Sequence, residues 1–401
     1  MIPSLNKLVL DIPEALSIFV NQIVYDKKAR GERVYTYSLG EAFFDIPRFD
    51  ITDDEFARGY HYSSSMGLLA LREKIAAYYG KYYGVKTNPA TDILVSAGSK
   101  PIIFMLLCAV LNTGDEVLVH EPAWLSYKEQ IKLAGGAHVA IPYQKKVREW
   151  EQYITDKTKV IIINNPNNPS GKLYSKEELD FLLYLAEKYN LFILSDEAYS
   201  DFLCPEDAFI SFAKIDESKE HCLVVNSLSK NMGMSGWRVG YAIAHPSVIK
   251  QLLKLNQHLI TCTTTLLQNY MAEHFEKILA YTLPQARAMA EKRKQVQNIL
   301  NKIGIKPLEG CGTFYFLLDV SAFKGTTDEL VYDLLLNHNI ATVPGLAYGT
   351  STEGFIRFGI GVENLVDIEK SLLKIKEFLS MSAYDNSKIK KQMEEYGISQ
   401  G

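Results

Sequence analysis

The chain has 401 residues, 43 basic and 47 acidic side chains, a net charge of −4, and 47 % hydrophobic against 22 % charged residues. That ordinary balance excludes a disordered chain, a collagen-like rod and a coiled coil. The mild acidity also argues against non-specific nucleic-acid binding, which needs a dense basic surface. At roughly 100–200 residues per domain, the length predicts two or three domains, or one large α/β domain with a smaller partner. Five scattered cysteines, Cys108, Cys204, Cys222, Cys262 and Cys311, include no CxxC pair. Neither a disulfide framework nor a metal site is expected, and the thiols suit a reducing compartment.

In chain order, Met1–Val20 carries Lys7, Asp11 and Glu14 and lacks the basic start and apolar core of a secretory signal. The longest apolar run, Pro101–Leu111, is too short to cross a bilayer. A cytoplasmic protein is expected. Strands are predicted at Asp92–Ser96, Glu116–His120, His138–Pro142, Val160–Asn164, Leu191–Ser195, Cys222–Asn226 and Val239–Ala244. Several are apolar on both faces, as in a largely parallel sheet covered by helices. Helices are predicted between them at Pro101–Leu111, Ser126–Leu133 and Lys176–Tyr189, the last opened by a capping box of Ser175 and Glu178. The pattern is that of an α/β domain with a mostly parallel central sheet. From about Gln285 the texture changes. A charged helix at Ala286–Ile303, a helix near Asp328–His338, strands near Ala341–Val343 and Phe355–Phe358, and a helix at Leu365–Leu379 predict a smaller α+β domain with an antiparallel sheet. The expected division is an amino-terminal arm belonging partly to the small domain (1–44), a large domain (45–284), the small domain (285–380), and a loosely held polar tail (381–401).

Ligands of open α/β sheets bind beyond the carboxyl ends of the strands. Four strands are followed there by polar clusters. Gly98-Ser99-Lys100 opens a helix whose free N–H groups suit an anion. Asn165 to Gly171 is rich in Asn, Pro and Gly. Asp196, Glu197 and Tyr199 follow the next strand, and Ser227, Ser229 and Lys230 the one after, with Gly236-Trp-Arg238 further on. Taken singly, each has an ordinary reading as a cap, a turn or a solvated side chain. Together they list a phosphate seat, polar groups for a planar ligand, an acid and an amine nucleophile, a set that suits pyridoxal phosphate.

The run Ser227-Leu-Ser-Lys-Asn-Met-Gly-Met-Ser-Gly-Trp-Arg-Val-Gly240 resembles the lysine motif of class I/II aminotransferases, pyridoxal-phosphate enzymes of fold type I, and the similarity extends from about Leu8 to Leu379. The resemblance implies that the large domain binds pyridoxal 5′-phosphate, with Lys230 holding it as an aldimine and Asp196 facing its pyridine nitrogen. It implies Tyr199 and Asn168 on the ring oxygen, and Gly98, Ser99, Lys100, Ser227 and Arg238 around the phosphate. Trp124 would stack on the ring, and Arg357 and Gly40 would receive the substrate carboxylate. Tyr62 would reach the phosphate of a neighbouring subunit, which implies a homodimer with shared sites. The chemistry agrees. A guanidinium fits a carboxylate bidentately, an anionic Asp196 keeps the pyridine nitrogen protonated, and a freed Lys230 amine serves as general base. The expected activity is ping-pong transamination between an amino acid and a 2-oxo acid, with no nucleic acid, membrane or metal involved.

The family's Gly-Glu-Pro-Asp-Phe segment is replaced here by Gly40-Glu-Ala-Phe-Phe44, which loosens any transfer of substrate preference. Lys100 stands where one aspartate-accepting subgroup reads a side-chain carboxylate. Two alternatives remain at this stage. One is another reaction on the same cofactor, an elimination or an aminocyclopropane-carboxylate-synthase-like step. The other is a regulatory protein built on an aminotransferase-like domain.

Overall fold

Alternating burial on both faces of short β-branched runs builds the central sheet. In Val160–Ile163, Val160 and Ile162 enter one core while Ile161 and Ile163 enter the other, as the two-residue strand period requires. The computed structural model describes residues 3–396 and 398. Its strands are β1 (Tyr35–Thr36), β2 (Ile93–Ser96), β3 (Glu116–His120), β4 (Ala137–Ile141), β5 (Thr158–Asn164), β6 (Phe192–Asp196), β7 (Cys222–Ser227), β8 (Gly240–Ala244), β9 (Tyr315–Asp319), β10 (Ile340–Ala341), β11 (Val343–Pro344) and β12 (Phe355–Gly359). The large sheet has seven strands in the order β2-β8-β7-β6-β5-β3-β4. Only β8 runs against its neighbours. The carboxyl ends of β5, β6 and β7 therefore lie side by side, with Asn164 in register with Asp196 and Asp196 with Val225. The helix Lys176–Tyr189 begins with the predicted box, Ser175 Oγ accepting from the Glu178 N–H and the Ser175 N–H donating to the Glu178 carboxylate.

A second, antiparallel sheet, β11-β12-β9, carries its own core of Phe314, Phe316, Leu318, Leu334, Phe358 and Leu372. The amino-terminal helix Leu16–Ala29 packs beside it, and β1 pairs in parallel with β10. No described helix is long and apolar enough to cross a membrane.

Three expectations need correction. The helix predicted at Ala286–Ile303 is the second half of one helix, Thr265–Ile303, so the division at 284/285 falls inside a continuous element. Pro284 lacks the N–H that would reach Ala280. The helix nevertheless continues, because one buried stripe, Met271, Phe275, Ile278, Thr282, Ala286, Ala290 and Val296, runs through it. Ala341–Val343 is not one strand: β10 pairs with β1, and β11 pairs with β12. Over its described residues the tail is not loosely held. Ser387–Glu395 is helical, with Ile389 and Met393 buried against Val20, Val24 and Leu335. Residues 397 and 399–401 of that tail lie outside the described residues.

Candidate active site

Each polar cluster arrives at the sheet rim on a strand end that hydrophobic burial has already fixed. Asp196 closes β6 and is buried. Its carboxylate accepts a hydrogen bond from Tyr127 Oη at 2.7 Å and one from the Ala198 N–H at 3.2 Å. Burial pushes this carboxyl above its ordinary range, and the two donors and Lys230 oppose the shift. A cationic partner at this spot would complete the charge balance.

Lys230 sits one turn beyond β7. Its ammonium donates to the Gly40 carbonyl. Burial brings its pKa down to about 8, with Arg357 and Arg238 adding to the fall and Glu41 and Asp196 opposing it. An amine so placed is partly neutral near physiological pH, the state a nucleophile or general base needs.

Tyr199 is buried, and desolvation keeps its phenol neutral. Its hydroxyl receives the Asn168 amide at 3.3 Å and pairs with the Tyr315 hydroxyl at 3.2 Å. Asn168 is itself set by Asn164, whose Oδ1 accepts the Asn168 N–H at 2.6 Å. Arg357, on β12, is 4 % exposed. It donates to the Ser38 carbonyl and lies over the rings of Tyr315 and Tyr348, 4.7 and 5.2 Å from their centroids.

The helix Ser99–Val110 begins at Gly98, which has φ +99°. A Cβ there would meet Arg238 Nη2 at 2.5 Å. The guanidinium thus lies against a turn that only glycine fits, beside the free N–H groups of the helix start. Arg238 is steadied by a bond from Nη1 to the Ser235 carbonyl at 2.9 Å. Lys100 Nζ stands 5.0 Å from the Trp124 ring centroid, and burial, reinforced by Arg238, depresses its pKa.

These groups share one cavity of about 310 Å³. Of the residues named from sequence, Gly40, Ser99, Lys100, Trp124, Asn168, Asp196, Tyr199, Ser227, Lys230, Arg238 and Arg357 line it. Gly98 lies behind Arg238 rather than on the wall. Tyr62 is 86 % exposed and stands away from the cavity of its own chain. The sequence reading missed Ser17, Ile18 and Asn21 of the amino-terminal helix, together with Tyr315, which also line the cavity. It also missed Tyr127, which stands behind Asp196. The phenols were legible only as further members of a Tyr-rich chain. The helix carried no motif, although Asn21 accepts from Ser38 at 2.6 Å, two residues before Gly40.

The donor set fits pyridoxal phosphate. Buried in the site, Asn168 Oδ1 and Arg357 Nε have no hydrogen-bond partner among the described residues. The wall offers an amine, an acid, a ring-sized aromatic face and an anion cradle.

Comparison with known proteins points the same way. A family model described as aminotransferase class I and II matches residues 54–367. An aspartate aminotransferase of Bacillus sp. (strain YM-2) is 34 % identical over 377 residues, covering 88 % of this chain and 93 % of that one. An asparagine–oxo-acid transaminase of Streptococcus mutans is 30 % identical over 393 residues, covering 94 % and 99 %. A structure of Thermus thermophilus aspartate aminotransferase with maleate superposes with a TM-score of 0.82 at 27 % identity, covering 94 % of this chain and 99 % of that one.

Proposed function

The chain belongs to the class I and II aminotransferases, and from that premise we propose that it moves amino groups between L-amino acids and 2-oxo acids by a ping-pong route, with pyridoxal 5′-phosphate attached to Lys230. The observation that carries this reading is the convergence of the Lys230 amine, the Asp196 carboxylate and the Arg238 and Arg357 guanidinium groups on one cavity. When bound, pyridoxal phosphate supplies a carbonyl that condenses with amines and a ring that draws electrons from the Cα–H bond.

In this reading the chain's own residues do the following. Gly98, Ser99, Ser227 and Arg238 bind the phosphate, and Lys100 adds a charge nearby. Asp196 holds a proton at the pyridine nitrogen. Asn168 and Tyr199 donate to the ring oxygen, and Trp124 covers the ring. Arg357, with Gly40 beside it, binds the substrate α-carboxylate through its planar fork. The freed Lys230 amine would take the substrate Cα proton and deliver it to C4′ of the bound pyridoxal phosphate. Tyr62, exposed on its own chain, reaches the phosphate of a second copy in a homodimer. Residues 45–284 act as the cofactor domain, and the small domain comprises 285–380 with part of 1–44. Lys100 is positioned for an acidic or amide side chain. The likeness to an aspartate aminotransferase and an asparagine–oxo-acid transaminase, and to a Thermus enzyme with maleate, supports that choice.

The test is direct. Protein loaded with pyridoxal phosphate should show a visible band, and borohydride should bleach it and leave the cofactor's mass on the Lys230 peptide. Aspartate with 2-oxoglutarate should then give oxaloacetate without ammonia. Release of ammonia, pyruvate and sulfide from cysteine, which carries a leaving group on Cβ, would instead indicate elimination. A Lys230→Ala protein that turns over normally would refute the mechanism.

A further inference from the structure

Arg293 lies in the run Glu291-Lys-Arg-Lys294, which in sequence looks like a solvated basic stretch. Its neighbours behave partly so: Lys294 pairs with exposed Glu206, and Lys292 donates to the carbonyls of Ile360 and Glu363. Arg293 itself is 3 % exposed and has no carboxylate partner among the described residues. Its guanidinium donates to three main-chain carbonyls: Tyr315 through Nη1, and Ser170 at 3.2 Å and Gly310 at 2.9 Å through Nη2. One face lies 4.0 Å from the Phe316 ring centroid.

Those carbonyls belong to two segments that meet with no side chain between them. A Cβ on Gly310 would fall 2.4 Å from the Ser170 carbonyl oxygen, and one on Gly171, at φ +83°, would fall 2.5 Å from the Gly312 oxygen. The Gly312 N–H donates to Gly171 O at 2.9 Å, and the Thr313 N–H to Phe202 O at 3.1 Å. Each segment leads to the same atom. The Ser170 turn follows Asn168, whose amide reaches Tyr199 Oη. The Gly310 segment ends at Tyr315, whose hydroxyl reaches Tyr199 Oη from the other side.

Burying an unpaired charge is expensive, and a residue needed only to fill this space would be apolar. A planar fork that serves several carbonyls at once is a property of arginine, not of lysine. We infer that Arg293 is a positioning residue: it pins the Ser170–Gly171 turn to the Gly310–Tyr315 segment, and so holds Asn168 and Tyr315 on the Tyr199 hydroxyl. Its effect on bound cofactor rests on the function proposed above. Its effect on the junction of the two segments does not.

The test compares Arg293→Met, which keeps the volume, and Arg293→Lys, which keeps the charge, with Val296→Ala, a core truncation on the same helix. In the cofactor-free protein, exchange of the Gly312 and Thr313 amide protons should quicken by about tenfold or more in Arg293→Met relative to other core amides. Arg293→Lys should fall between it and wild type, and Val296→Ala should leave the ratio unchanged. With pyridoxal phosphate bound, the pH midpoint of the visible band should move by about half a unit or more in Arg293→Met and not in Val296→Ala, because Tyr199 and Asn168 set the protonation of the ring oxygen's neighbourhood. Faster exchange with an unmoved midpoint would overturn the positioning role, as would equal shifts in Val296→Ala. If Arg293→Met does not fold, the same two readouts on Arg293→Lys decide the matter. A wild-type protein without a visible band would overturn the proposed cofactor, while the exchange result would still report on the junction.

Discussion

Tyr127→Phe isolates a single hydrogen bond behind the acid of the site. The ring is 1 % exposed and meets Trp124 edge-on, with centroids 5.3 Å apart at 82°. Phenylalanine keeps that packing and removes only the hydroxyl. The lost bond is the shorter of the two that the Asp196 carboxylate accepts, 2.7 Å against 3.2 Å from the Ala198 N–H. A hydrogen bond to a charged group contributes about 1.5–3 kcal/mol, which is about one to two pKa units. Burial already holds the folded carboxyl above its unfolded value. The folded state therefore binds more protons between the two values, and stability falls as pH rises through that window. Tyr127→Phe should extend the window upward. It should also make the anionic carboxylate harder to keep, and so weaken pyridoxal phosphate binding by about 10- to 100-fold. Equilibrium titration of the cofactor-free protein measures the affinity, and thermal melts from pH 4 to 8 measure the slope. A dissociation constant within twofold of wild type and an unchanged slope would show that Tyr127 packs against Asp196 without tuning it.

Two further changes probe the anion cradle and the amine. Gly98→Ala places a methyl against Arg238 in a backbone region that strains any residue with a side chain, a cost of about 1–3 kcal/mol. It should lower affinity for pyridoxal phosphate about tenfold or more and leave affinity for pyridoxal, which lacks the phosphate, nearly unchanged. Equal losses for both ligands would count against the cradle. Lys230 has a folded pKa of about 8, below its unfolded value, so the unfolded chain binds more protons between the two and this group's contribution to stability rises with pH over that range. Lys230→Met should accordingly stabilise the cofactor-free protein by about 3 kcal/mol at pH 7. The gain should shrink as pH climbs through the window. Denaturant melts that give the same difference at pH 7 and pH 10 would show that the amine is not desolvated.

Much of the fold was legible because its strongest forces are local. Strands such as Val160–Asn164, apolar on both faces, can rest only inside a covered sheet, and Ser175 with Glu178 marks a helix start without tertiary help. The site was legible where chemistry clusters in sequence, as in Ser227–Lys230 and Asp196–Tyr199. It was hidden where function depends on contacts distant in the chain. Ser17, Ile18 and Asn21 reach the cavity through helix packing that no short motif records. The helix predicted from Ala286 starts at Thr265, because a buried stripe shared by two cores carries it past Pro284. Ile389 and Met393 are two apolar residues in a polar tail, too few to signal a docked helix until Val20 and Leu335 meet them.

The amino-terminal helix has a consequence for biosynthesis. It is made among the first segments, yet its resting place is built from partners made near the end: β10 beside β1, and Met393 beside Val24. During translation the seven strands of the large sheet can pair as they emerge, whereas the chamber's roof must wait with its apolar face uncovered until about residue 393 has left the ribosome. A chain stalled after β8 would own the lysine and the acid but no enclosed chamber for a substrate, so the capacity to trap an amino acid arises late, with the final helices.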